Sequence, residues 1–150
     1  MEGVDGIMKD GFGFKNTVEW KKFDADGILV DSGKEYNQVQ TLVKQRVIDA
    51  LDTGSTTQIQ GMAVGTGTGQ GVGDAALASK ASDENTNPTD GGTSLECVAS
   101  FTGITGTVTE AGLFDSTGCT DDMYFYDDGL SVALTSGDTL QITWTVNCTG

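Results

Sequence analysis

From Ser94 to Cys148, apolar and polar residues alternate in one run after another: "SLECVASF", "TGTVTEAGLFD", "DMYFYD", "GLSVALT" and "DTLQITWTVNC". A period of two sends successive side chains to opposite faces, so each run predicts a half-buried strand. In the last run Leu140, Ile142, Trp144 and Val146 share one face. Serine, threonine, glycine and aspartate interrupt the runs about every ten residues, the rhythm of turns in a sandwich or barrel. The pattern predicts a mainly β fold, an antiparallel β-sandwich of jelly-roll-like outline.

The first half is mixed. "TVEWKKF" and "ILVDSGK" flank Asp26-Gly27 and read as a hairpin. The one long helical stretch follows, expected over about residues 37–52. Val39, Leu42, Val43, Val47, Ala50 and Leu51 repeat at spacings of three and four and make one apolar stripe. Asn37 is placed to cap this helix, with Gln40 answering as in a capping box, and Gly54 to stop it. Lys44 and Arg46 fall on its polar face, where solvation is the default. "TQIQGMAVG" reads as a strand, "AALASK" as a short second helix capped by Asp74, and residues 81–92 as an exposed loop. Residues 1–16 are glycine-spaced and weakly patterned, so they read as an extended N-terminal arm ahead of a single β-sandwich domain over 17–150.

Composition narrows the chemistry. Eight basic residues against 22 acidic ones give a formal charge of −14, which disfavours nucleic acid and anionic lipid as partners. No apolar run is long enough to span a bilayer, and the N-terminus lacks the pattern of a secretory signal. Cys97, Cys119 and Cys148 form no paired motif and read as small hydrophobes in a reducing compartment. The chain contains no histidine, which removes His-based triads and the usual zinc sites.

The stretch "VGTGTGQGVGDAALAS" invites a phosphate-loop reading, because glycine amides ahead of a helix hold anions. Two details exclude it. No lysine follows these glycines before Lys80, and the sixth positions counted from Gly65, Gly67 and Gly69 are Gln70, Val72 and Asp74. The glycines are expected to shape a turn and to hold no ligand.

Calcium has two weak candidates. "DADGILVDSGKE" sets Asp24, Asp26 and Glu35 at positions one, three and twelve of a loop, but Ile28 stands where an oxygen ligand belongs. Asp121, Asp122, Asp127 and Asp128 flank one short strand and could share a hard cation, although such acids more often blunt an exposed edge. Glu96 and Glu110 are the acids inside apolar β-text, and Glu110 reads best as a hydrogen-bonded structural carboxylate. Tyr124, Phe125 and Tyr126 could form a sugar-stacking platform beside the acids. No catalytic, cofactor-binding or metal-binding residue is assigned.

Three blocks in order, "MAVGTGTGQGVGDAALAS", "ITGTVTEAGLFDSTG" and "DTLQITWTV", resemble a family of tailed-bacteriophage virion structural proteins. The similarity runs roughly from Val18 to Val146. It is carried by a G-T-G strand end leading into D-x-A-L, an I-T-E-A-G-L-F block and a closing strand near T-W-T. The resemblance implies a non-enzymatic virion component, either a capsid-surface decoration or head-fibre protein. A tail or baseplate part and a carbohydrate- or receptor-binding module stand as alternatives. It implies copies of itself as partners, plausibly a trimer, together with a major capsid protein or other virion proteins, and assembly in the bacterial cytoplasm. The glycine-rich loop and the acidic "CTDDMYFYDD" insertion depart from the family pattern.

Overall fold

A computed structural model describes residues 13–54 and 58–149. Two five-stranded antiparallel sheets face each other, joined by a two-stranded ribbon. In sheet A the outer strand β2 (Leu29–Tyr36) lies beside β1 (Gly13–Phe23), then β12 (Thr139–Thr149), β7 (Ser94–Thr102) and β6 (Thr89–Asp90). In sheet B the order is β3 (Gln38–Val39), β10 (Met123–Asp127), β9 (Glu110–Phe114), β4 (Gly61–Gly65) and β5 (Lys80–Asn85). The ribbon pairs β8 (Gly106–Val108) with β11 (Val132–Leu134). One helix, α1 (Thr41–Thr53), follows β3.

The core is the meeting of the alternating faces. Val18, Trp20, Phe101, Leu140, Ile142 and Trp144 from sheet A are buried in one cluster with Met62, Val64, Leu113 and Phe125 from sheet B. The fully buried Trp144 faces Cys97 and Val18 on the flanking strands. Sheet B is buried on both faces: every residue of β4, β9 and β10 is buried. Its outer face packs Ala63, Phe114, Met123 and Tyr126 against Leu77 and Cys119 from the loops that cover it.

The expected hairpin forms. Asp24 Oδ1 accepts from the amides of Asp26 at 2.9 Å and Ile28 at 3.0 Å, and Gly27 takes the left-handed angle that the reversal demands, φ 77°. The β1 strand starts at Gly13, opposite Thr149, so the last four residues of the expected arm lie in sheet A. Residues 1–12 fall outside the described residues.

Three local expectations are corrected. The helix starts at Thr41 with Gln40 in the capping position, and no side chain caps it. Tertiary pairing overrides the capping box: Gln38 and Val39 are drawn into β3 opposite Tyr126 and Phe125, and the Gln40 amide donates to the Tyr124 carbonyl. Asn37, oriented to satisfy its neighbours, instead accepts from Trp144 Nε1 at 2.5 Å and donates to the Asn16 carbonyl at 3.3 Å. The short helix after Asp74 is absent, because residues 75–79 spend their backbone groups on other partners. Residues 81–92, expected as loop, contribute β5 and β6. Gly54 stops α1 as expected, with φ 72° and its amide on the Ala50 carbonyl.

The apolar stripe of α1 is only partly used. Val43 is buried and Val39 and Leu42 pack partly buried against the core, whereas Ala50 is exposed and Leu51 is 79% exposed. Arg46 ties the helix to the loop between β9 and β10 through Asp122 at 3.6 Å and Asp115 at 4.0 Å, so it is half-buried and ion-paired in place of the expected solvated state, while Lys44 is exposed as expected.

Candidate functional site

The glycine loop and Glu110 form one unit. Glu110 opens β9 directly opposite Gly65, the last residue of β4, and its side chain is fully buried. Its Oε1 accepts from the Ala78 amide at 2.9 Å and the Tyr126 hydroxyl at 3.0 Å. Its Oε2 accepts from the amides of Gly67 at 3.0 Å and Ser79 at 2.8 Å. Four donors converge on one carboxylate, which makes each bond charge-assisted and leaves little of the anion unsatisfied. Burial and this hydrogen bond push the Tyr126 hydroxyl well above its usual pKa, so it stays a donor at any physiological pH.

This geometry accounts for the two glycines nearest the carboxylate. A Cβ on Gly65 would lie 2.5 Å from Glu110 Oε2; one on Gly67 would lie 2.6 Å from the Ala78 Cβ and 3.0 Å from the same oxygen. Both positions need the missing side chain because the backbone itself approaches the anion.

The pattern continues along the loop. The Gly69 amide donates to Asp128 Oδ2 at 3.0 Å and the Gly71 amide to Asp74 Oδ2 at 2.7 Å. Alternate glycine amides thus each meet a carboxylate of the chain itself. The loop holds anions as glycine-rich loops do, and its anions are Glu110, Asp128 and Asp74. A phosphate has no free amide among Gly67, Gly69 and Gly71 to bind.

The far side of the loop rests on Gln40. This side chain is fully buried and donates to the carbonyls of Gly71 and Asp74, each at 2.8 Å, while accepting from Gln38 Nε2 at 2.8 Å. Thr41, at the helix start, donates its amide to the Val72 carbonyl. These contacts explain the missing second helix. Ala78 and Ser79 give their amides to Glu110, Ala75 gives its carbonyl to Met123, and Ala76 gives its carbonyl to Gln70. Six residues cannot repay helix nucleation against such competition.

The other candidates are dispersed. Asp24 closes the hairpin, and Glu35 lies near the far end of β2, so the calcium-loop positions do not converge. Asp121 accepts from the Asp122 amide, Asp122 faces Arg46, Asp128 serves Gly69, and Asp127 is buried beside Glu35. Among the described residues no group of three acids or cysteines is placed to hold a metal ion. Burial and the neighbouring Asp115 raise the Asp122 carboxyl above its usual range. Glu96 lies exposed on sheet A and Glu110 is buried in sheet B, so the two form no acid pair.

The proposed stacking platform is also corrected: Tyr124, Phe125 and Tyr126 are all buried, because β10 is an inner strand of a sheet covered on both faces. Cys97 and Cys119 are buried, and burial pushes each thiol up to about 12, far from a reactive thiolate. A shallow cleft of about 120 Å³ is lined by Gln58, Gln60, Asn85, Thr86, Asn87 and Thr117, which offer no charge and no aromatic face. It is well below the few hundred Å³ of an ordinary ligand site.

Sequence reasoning reached Glu110 as a structural carboxylate but missed its donors; it gave Gln40 to a capping box and divided Glu35 and Asp127 between two calcium candidates, missing the part Gln40 plays under the loop and the meeting of Glu35 with Asp127. The signal for the first was present: a glutamate amid small residues in one strand, and a G-T-G at the end of another. Compared with protein-family models, with curated proteins and with solved structures, the chain matches none.

Proposed function

We propose that this chain is a non-enzymatic virion structural protein, a capsid-surface decoration or head-fibre component that self-associates and docks on the capsid. The virion reading rests on the three sequence blocks that resemble tailed-phage structural proteins. Two of those blocks meet physically, since the G-T-G strand end, the D-x-A-L turn and the E-A-G-L-F strand are one packing unit around Glu110. Those blocks would serve folding, and the work of the protein would fall to its surface.

The observation that carries an assembly role is where apolar area is left uncovered. Ile28, Leu29 and Val30, at the tip of the β1–β2 hairpin, are 59%, 49% and 51% exposed. Consecutive exposed apolar residues on an outer strand mark contact surface. The same hairpin sets Lys15, Lys21, Lys22 and Lys34 against Glu19, Asp24, Asp26, Asp31 and Glu35, so it is close to neutral in a chain with net charge −14.

Mass spectrometry of purified particles, fractionated into heads and tails, tests the assignment. Presence in the head fraction is expected. Presence in tails alone would move the protein to a tail or baseplate position, and absence from particles would overturn the virion reading.

A further inference from the structure

Asp127 is buried, 3% exposed, at the end of β10. Its Oδ1 accepts from the Gly129 amide at 2.8 Å, but its Oδ2 is buried without a hydrogen-bond partner. An ionised carboxylate oxygen in that position is costly, whereas a protonated one becomes a donor. A second carboxyl stands nearby on the other sheet. A Cβ built on Gly129 would lie 3.3 Å from Asp127 Oδ1 and 3.2 Å from Glu35 Cδ, so the two carboxyl groups border the same small space.

The surroundings supply no positive charge. The charged groups that face Asp127 are Glu35 from β2 and Asp128, its neighbour in the chain. Glu110, on the adjacent β9, is turned to the loop and its four donors. Gln38 on β3 is neutral and directs its amide to Gln40 and Gln70. Among the described residues no lysine or arginine forms an ion pair with Asp127 or Glu35.

We propose that Glu35 and Asp127 form a proton-operated clasp between the two sheets, closed while the pair retains one proton and opened when both carboxyls are ionised. In the closed form Asp127 is protonated and neutral, so the Glu35 carboxylate lies beside it without repulsion. On opening, the proton leaves to solvent and two negative charges remain side by side. The element released is β2, an outer strand paired on one side only, at the point where the chain crosses from sheet A to sheet B. Burial first, and the charges of Glu35 and Asp128 after it, push the Asp127 carboxyl up to about 6, which sets the switch within the physiological range. The clasp is independent of what the hairpin binds.

Carbon-detected NMR titration of the full chain tests it. Asp127 is expected to titrate near pH 6, and Glu35→Gln is expected to lower that midpoint by removing the like charge. Protection of the β2 amides should fall about tenfold between pH 5 and pH 7.5 relative to those of β12. Asp127→Asn, which mimics the protonated acid, should abolish that fall, and Glu84→Gln, an exposed change of equal charge, should leave it intact. A midpoint near the ordinary carboxylate value of about 4, or one unmoved by Glu35→Gln, would overturn the proposal. So would β2 protection that falls equally in Asp127→Asn.

Discussion

Glu110 and Asp127 are buried on neighbouring strands of sheet B, Glu110 with four hydrogen-bond donors and Asp127 with one. The first organises a loop of fourteen residues between β4 and β5, since amides from both ends of that loop meet its two oxygens. The second faces another acid and leaves an oxygen without a partner. Burial alone therefore does not decide what a carboxylate does in this protein. The number of donors arriving from elsewhere in the chain decides whether it is an anchor or a titrating group.

The largest effect is expected from the anchor. Glu110→Ala would leave three amides and a tyrosine hydroxyl without their acceptor and should cost about 4 kcal/mol in urea unfolding. Glu110→Gln keeps the volume but turns an amide N–H₂ toward donors, and it should still cost about 2 kcal/mol. The other carboxyl should behave in the opposite sense. Because the folded-state value for Asp127 is raised, its stabilising protonated form is fully present below about pH 4 and lost as the pH rises through about 6. Asp127→Asn should therefore be more stable than the parent at pH 8, by up to about 3 kcal/mol, with the gap narrowing to about half at pH 5 and closing by about pH 4.

Smaller effects sharpen the same comparison. Gly67→Ala pushes a methyl onto Ala78 and the Glu110 carboxylate and should cost about 1–3 kcal/mol. Gly73→Ala, where nothing lies within 4 Å, should change stability by less than about 0.5 kcal/mol. Leu29→Ser at the hairpin tip should leave unfolding free energy within about 0.5 kcal/mol while weakening self-association in sedimentation experiments.

Much of the architecture could be read from the sequence because half-buried strands announce themselves by alternation. Leu140, Ile142, Trp144 and Val146 lie on one buried face of β12, and Asp24 to Gly27 form the turn that their residue types predict. The strand β5 could not be read. Its text, "KASDEN", has no apolar face because it joins the sheet edge through backbone pairing with β4. The helix start failed for a related reason, since the pull of β10 on Gln38 and Val39 is not written in their neighbourhood. The clasp joins Glu35 to Asp127 across most of the chain, and no local pattern reveals such a meeting. For Glu110, sequence separated the carboxylate from its loop by thirty-one residues or more, so its role could be suspected but its partners could not.

Amide hydrogen exchange at Gly67, Ala78 and Ser79 measures directly whether the loop is held from within. None of the three lies in a helix or strand, yet each donates to Glu110. Exchange as slow as that of the core strands, with protection lost at all three in Glu110→Ala, is the expected result. Fast exchange in the parent chain, or protection that survives the substitution, would contradict it.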